Sequence, residues 1–260
     1  PTTLDELVRT GRVLTLDVRA RNRDHPEFDP AQIVQHALFL KSDAYYFLPF
    51  LWGWGGNTIA PETRQVLIGA PDSVAAAQRF RDLTRVHSLA PRGVDYSSEF
   101  SQEIREFGSG RVAMIVQGPW AAQDILKGSA FNDRNNLGVA PFPKGEGGRG
   151  GSPSGGHGFV ISARTDKQEA AHRLAMFLSD TRAQTRLATQ NYILPTRQSI
   201  YENDEFTRQP LVRSFKAALD TSHPRAVFPG MAHIFDALTP AVRSLQTEST
   251  DASELMTSVA

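Results

Sequence analysis

Trp120 closes the run Gly118-Pro119-Trp120, and its setting makes it a natural starting point among the residues whose type could meet a ligand. Upstream, Gly108-Ser109-Gly110 supplies the positive-φ positions that a helix-to-strand reversal needs. The apolar run Val112–Val116 lacks clean alternation, which predicts a strand buried on both faces of an α/β sheet. Gly118-Pro119 stops that strand, and Pro119 suits the first residue of a new helix. Trp120 is therefore predicted where the carboxyl edge of a sheet meets a helix N-terminus, the usual ligand edge of open α/β sheets. Position alone leaves two readings open: an indole wall for a ligand, or core packing.

Other chemistries leave fewer traces. The seven histidines (25, 36, 87, 157, 172, 223, 233) include no pair three or four apart, so no helical zinc pair is encoded. There is no cysteine, which removes disulfides, thiolate metal sites and cysteine nucleophiles together. No Gly-x-Ser-x-Gly elbow and no Gly-Lys-Ser/Thr loop occurs. Gly145–Gly150 matches Gly-x-Gly-x-x-Gly by letter, but prolines precede it and a strand is predicted after it, so a flexible crossover linker is the better reading. Asp and Glu total 28, an ordinary number, and nothing marks two of them as a glycosidase pair. Neither a cofactor nor a metal is expected. What remains is aromatic rings beside glycines, which suits sugars: their C–H faces pack on flat rings and their hydroxyls need polar walls.

The elements that must hold these residues follow in order. Thr3-Leu-Asp-Glu6 reads as a capping box opening a helix to about Arg9, with Gly11 ending it. Asp24–Pro30 is a surface loop and Val34–Leu40 a strand. The most aromatic stretch, Ser42–Gly56, is predicted as a helix ended by glycines, too aromatic for a single buried face, so that part of it borders a cleft. Trp52 is assigned to the core and Trp54 is left open. Asn57–Gly69 reads as a hairpin, Asp72–His87 as a helix with the stripe Ala76, Phe80, Leu83, and Ser98–Phe107 as another helix. Strands are predicted at Leu137–Pro143 and Gly158–Ala163, around a glycine-rich linker at 144–156. Helices follow from Asp166 to Leu178, from Asp180 to about Gln190, over Leu211–Leu219 and over Ile234–Leu245, with a last one in the Ser/Thr-rich tail from Thr247.

The run Gly-x-x-Ala-Met-x-x-x-Gly-Pro-Trp at 110–120, after a helix ending in Phe-x-x-Gly, resembles the type 1 extracellular solute-binding proteins of ABC sugar importers, the relatives of maltose- and trehalose-binding proteins. The block Gly155-Gly156-His157-Gly158, two helices and Leu194-Pro195-Thr196-Arg197 resembles the same family. The resemblance implies a periplasmic-binding-protein-like (type II) α/β architecture of two lobes, here mainly the C-lobe with a C-terminal part of the N-lobe. It divides the chain into a C-lobe at 1–143, a crossover linker at 144–157, a strand and two helices of the N-lobe at 158–197, and helices returning to the C-lobe at 198–260. It also implies that Trp120 stacks on a sugar and that Tyr45 takes the place of a sugar-contacting tyrosine. Asp43, two positions earlier, either accepts a hydroxyl proton or simply caps the helix. Gly156, His157, Gly230 and Met231 would line the hinge side, with Trp54 a further candidate. Many relatives carry tryptophans where His157 and Met231 stand, so two stacking platforms are replaced here.

The chain has 260 residues, 40% hydrophobic and 22% charged, with a net charge of zero. That balance argues against nucleic acid or an anionic membrane as main partner, and no apolar run has the length of a membrane span. The implied partners are a sugar and the transmembrane subunits of an ABC permease, with the chain a monomer. The implied location is periplasmic or extracellular, with a lipid anchor left open. The sequence opens at Pro1-Thr2-Thr3, and the expectation is a longer two-lobed protein of which this is a C-terminal portion. Two rival readings stand beside this one: a carbohydrate-active enzyme with a carboxylate pair, and a protein-interaction module using exposed aromatics.

Overall fold

A computed structural model describes residues 1–92, 94–248 and 251–260. The N-terminal half runs α1 (Leu4–Leu14), β1 (Leu16–Asp17), β2 (Ile33–Phe39), α2 (Ala44–Gly53), α3 (Pro71–Arg85), α4 (Glu99–Gly108) and β3 (Val112–Ile115). A 3-10 turn at Pro119–Ala121 leads into α5 (Ala122–Ile125). Then come β4 (Pro153–Ser154), α6 (Gln168–Leu178), α7 (Thr181–Asn191), α8 (Gln198–Tyr201), α9 (Asp204–Thr207) and α10 (Pro210–Asp220). The chain finishes with β5 (His223–Pro224), α11 (Met231–Thr247) and α12 (Ala252–Ser258).

The sheet that matters has the order β1-β2-β3. β2 and β3 are parallel, with His36 opposite Val112 and Leu38 opposite Met114, whereas β1 is antiparallel to β2. Parallel neighbours bring their carboxyl ends to the same edge, so Lys41–Asp43 and Gln117–Trp120 leave the sheet side by side. β3 is less enclosed than its composition suggested: Val112 is buried but the next three residues are half-buried. It is the last strand of the sheet and lacks the neighbour that a strand buried on both faces would have.

One large core sits under this edge. α2 is apolar all round and is accordingly buried by α1, α3 and α11. Phe50 and Phe80 meet edge to face at 5.1 Å, and Phe47 and Phe80 at 5.0 Å. The stripe Ala76, Phe80, Leu83 is buried here, as its spacing predicted. Met256 and Ala252 of α12 close the far side of the same core. Of the tail from Thr247, Ser249 and Thr250 lie outside the described residues.

The capping box forms in full: Glu6 N–H donates to Thr3 Oγ1 at 3.1 Å, and Thr3 N–H donates to Glu6 Oε2 at 3.3 Å. α1 nevertheless runs through Gly11 to Leu14. Gly11 is the point where the helix crosses Leu89 closely, since a β-carbon there would come within 2.8 Å of Leu89 Cδ1. The hairpin expected over 57–69 reduces to one antiparallel bridge between Ile59 and Val66. α6 starts at Gln168 behind Lys167, with no side-chain cap, so the Asp166 box is not used.

Two predicted strands are not strands. Residues 137–143 run without ladder partners, as Pro141 and Pro143 offer no N–H to a ladder. Residues 158–163 likewise carry no ladder, with Phe159 60% and Val160 93% exposed. A strand exists only through a neighbour's N–H and C=O groups, and none stands beside this one. The first part of the glycine-rich linker, in contrast, is firmly docked. Gly145 N–H donates to Gly53 C=O at 2.8 Å and Arg149 N–H to Trp52 C=O at 3.2 Å, while Leu4 N–H donates to Lys144 C=O at 2.8 Å. β-carbons on Gly145 or Gly148 would collide with the Gly53 carbonyl, so glycine is what lets this segment lie against the end of α2.

Candidate functional site

The two loops leaving the β2 and β3 edge build the site. After β3, Gly118 has extended backbone and Pro119 opens the turn that carries Trp120. The six-membered ring of the indole folds back over Gly118, where a β-carbon would overlap it. The side chain still exposes 46% of its surface, so the core-packing reading does not describe it. An exposed indole resting against a glycine is a ready apolar wall.

After β2, Asp43 caps α2: its Oδ1 accepts from the Tyr45 N–H at 2.7 Å. Asp43 is half-buried, and the cap occupies one oxygen of its carboxylate. Tyr45 and Tyr46 follow, their rings edge to face at 5.4 Å. Tyr45 donates its hydroxyl to Pro153 C=O at 3.2 Å. Burial raises the Tyr45 pKa above its ordinary value, against the pull of Arg225. The Tyr46 hydroxyl donates to Gln117 Oε1 at 3.5 Å. Its pKa is pushed up to about 12, first by burial and next by Glu103, with Gln117 and Trp120 pulling the other way.

The wall continues through residues that the sequence did not place together. The Arg225 guanidinium lies 5.3 Å from the Tyr45 ring centroid and 5.5 Å from that of Phe235. A β-carbon on Gly155 would lie 3.9 Å from the Tyr45 hydroxyl, so this end of the linker borders the tyrosine. α11 is tied to the start of α2 because Ala44 N–H donates to Thr239 Oγ1 at 3.2 Å. Gly230 is the N-cap of α11, and Met231, its first residue, stands one turn before Phe235.

Trp120, Tyr45 and Asp43 thus share one edge, and Met231 with Gly230 stands at the neighbouring helix end. Gly156 and His157 are exposed just past Gly155. Trp54 does not join them. It is 8% exposed in the main core and faces a separate concavity of about 390 Å³ lined also by Asp5, Arg9, Arg79, Asp82 and Glu146. α2 carries Tyr45 in its first turn and Trp54 at its last, so the two rings serve opposite ends of the helix.

Beneath the wall lies a polar layer. Glu103 of α4 is fully buried; its Oε2 accepts from Gln117 Nε2 at 2.6 Å and lies 3.9 Å from Lys41 Nζ. Sequence reading missed Glu103, Lys41, Gln117 and Tyr46. A signal existed for Glu103, which stands at helical spacing from Phe100 and Phe107 on the apolar face of α4.

Among the described residues no group of three or more His, Asp and Glu could hold a metal ion, and no helix is long and apolar enough to cross a membrane. The arrangement is therefore an aromatic edge with hydrogen-bonding groups at its margins.

Comparison with known proteins fits this geometry. The family model for bacterial extracellular solute-binding proteins matches residues 1–214. The maltodextrin-binding protein MdxE of Bacillus subtilis is 26% identical over 195 residues, covering 71% of this chain and 44% of that protein. A Deinococcus radiodurans protein named "Probable ABC transporter-binding protein" is 26% identical over 160 residues, covering 61% of this chain and 37% of its own length. The crystal structure of the GacH receptor of Streptomyces glaucescens, solved unliganded and with acarbose, superposes on all of this chain and 62% of the receptor, with a TM-score of 0.85 and 27% identity. The chain thus spans less than half the length of these curated relatives and under two thirds of the receptor. Its fold is that of the two-lobe periplasmic binding proteins, and the chain belongs to the bacterial extracellular solute-binding protein family.

Proposed function

We propose that this chain supplies the larger part of a carbohydrate receptor for an ABC importer, capturing a mono- to oligosaccharide of the maltose or trehalose kind. The observation that carries the reading is the indole of Trp120, 46% exposed at the carboxyl edge of two parallel strands. Tyr45 would form the second ring surface. Asp43 would accept a hydroxyl through the oxygen not engaged in the cap, and Gly156, His157, Gly230 and Met231 would close the hinge side. Trp54 would contribute only through the packing of α2. The kinship with a maltodextrin-binding protein and with a receptor solved with acarbose supports the choice of ligand class.

The domain reading follows. Residues 1–143 and 198–260 would form the C-lobe, 144–157 the crossover, and 158–197 a block that completes the N-lobe. Supporting this, α6 has no buried residue, and Phe159, Val160, Leu174 and Phe177 leave apolar surface open on that block. Closure of the lobes around the sugar would present the complex to the permease subunits, in the periplasm or outside the cell, by a monomeric receptor.

Calorimetry on the protein from its full reading frame, with maltose, maltotriose and trehalose, tests the reading. Trp120→Ala is expected to weaken the best of these at least about tenfold, roughly 1.4 kcal/mol, with the fold retained. Unchanged affinity would remove the stacking role. Release of reducing sugar from an oligosaccharide would replace the receptor with an enzyme.

A further inference from the structure

The polar layer under the aromatic edge is not needed for packing alone. Glu103 has no exposed surface, and its Oε1 is buried without a hydrogen-bond partner. A buried carboxylate so poorly satisfied costs stability, which points to a role beyond packing. Its one strong bond goes to Gln117 Nε2 at 2.6 Å. That bond fixes the amide so that Gln117 Oε1 accepts from Gly118 N–H at 3.2 Å and from the Tyr46 hydroxyl at 3.5 Å. Gly118 is the residue on which the Trp120 ring rests. A second arm runs through Lys41, whose Nζ lies 3.9 Å from Glu103 Oε2 and 3.9 Å from the centre of the Tyr46 ring. Both arms therefore end on the aromatic edge.

Resting on the sugar-binding reading, we propose that Glu103 is a positioning residue: its negative charge holds Gln117 and Lys41, and through them the Trp120 wall, in the form that accepts ligand. The charged and titratable groups around it are few. Glu99 stands on the same helix and accepts from Ser42 N–H at 2.7 Å; Lys41 and Asp43 come from the loop after β2, and Tyr46 from α2. Burial, the largest influence, pushes Glu103 up to about 7; Gln117 and Lys41 pull it down, and Glu99 pushes it up further. A proton on Glu103 turns a charge-assisted bond to Gln117 into a weaker neutral one and leaves the Lys41 ammonium, only 8% exposed, without its counter-charge. Glu103 touches no ligand; it acts on the wall from behind.

Two titrations test this on the protein from its full reading frame. The first needs no ligand: the emission assigned to Trp120, as wild type minus Trp120→Phe, is followed from about pH 5.5 to about pH 8.5. A transition centred near 7 is expected, absent in Glu103→Gln, which still accepts from Gln117 but carries no charge. Lys41→Met is expected to move the transition upward, because the cation that favours the carboxylate is gone, and it serves if Glu103→Gln fails to fold. The second follows maltotriose affinity, expected to be at least about threefold weaker near pH 5.5 than near pH 8 and level in Glu103→Gln. A titrating emission with no sugar bound at any pH sinks the sugar reading and keeps the role of Glu103. A flat emission, or one unchanged in both variants, overturns that role whether or not sugar binds.

Discussion

The Arg225 guanidinium lies over the ring of Tyr45, 5.3 Å from its centroid, and so joins the loop before α11 to the start of α2. Tyr45 is held at its other end by the bond from its hydroxyl to Pro153 C=O. The ring and the hydroxyl can be separated by mutation. Tyr45→Phe keeps the apolar face and is expected to retain sugar binding within a few fold, losing about 1 kcal/mol of stability. Tyr45→Ala removes the face and is expected to lose about tenfold in affinity. Equal affinities for the two variants by calorimetry would take Tyr45 out of the ligand wall.

Gly118 gives an independent handle on the indole. Because a β-carbon at this position would overlap the Trp120 ring, Gly118→Ala should turn the ring away while leaving every ring atom in the protein. Sugar affinity is expected to drop as far as in Trp120→Ala, with an unchanged far-ultraviolet circular dichroism spectrum. Full retention of binding would mean that the orientation of the ring over Gly118 is irrelevant.

Stability should respond to pH in two opposed ways. Glu103 moves from the ordinary 4.5 to about 7, chiefly through burial, so between those values the folded form holds the extra proton. Its contribution is full in acid and is lost as pH rises through 7, by up to about 3 kcal/mol. His36 moves from 6.5 to about 4, again through burial, partly offset by Glu106. Its contribution is present above 6.5 and is lost as pH falls toward 4. Both shares fall in one window, so urea unfolding from about pH 4 to about pH 7 should show stability rising with pH in Glu103→Gln, where the His36 share is left unopposed, and falling with pH in His36→Gln. An unaltered profile in either variant refutes that residue's share.

The docked glycine segment predicts a contrast between neighbours. Gly148→Ala sets a β-carbon against the Gly53 carbonyl and should lower the melting temperature, at a cost of about 1–3 kcal/mol. At Gly156 nothing lies within 4 Å of an added β-carbon, and alanine there should leave melting unchanged. Equal melting of the two variants would show the linker to be loose along its whole length.

What the sequence discloses and what it hides divide along the range of the interactions. Thr3 with Glu6 and the stripe on α3 are settled within one or two helical turns and stand as read, and of the two roles left open for Asp43 the helix cap is formed. The Gly-Pro-Trp turn is equally local, and Trp120 stands at the sheet edge it predicted. Residues 137–143 and 158–163 have strand-like composition, but pairing depends on a distant partner that no local pattern specifies. The linker's glycines suggested freedom, whereas two of them, Gly145 and Gly148, serve close approach to main chain at 53, a contact far away in sequence. Trp54 could not be placed by type alone, because both ends of an all-apolar helix look the same. Glu103 was passed over although its spacing sets a charge on the apolar side of α4.

The segment from Lys144 to Arg149 is clamped to α2 and β4 pairs with β5, whereas a β-carbon added at Gly156 or Gly158, just beyond, would meet nothing within 4 Å. On the two-lobe reading, bending would fall on this short stretch, next to Gly155 and the Tyr45 hydroxyl, and on the return of the chain between α7 and α8. Rotation there would carry α6 and α7, together with the residues of α8 to α10 that pack on Ala188, while the tyrosine barely moves. The aromatic edge would then act as a fixed anvil, and the block beyond the glycines as the arm that swings onto it.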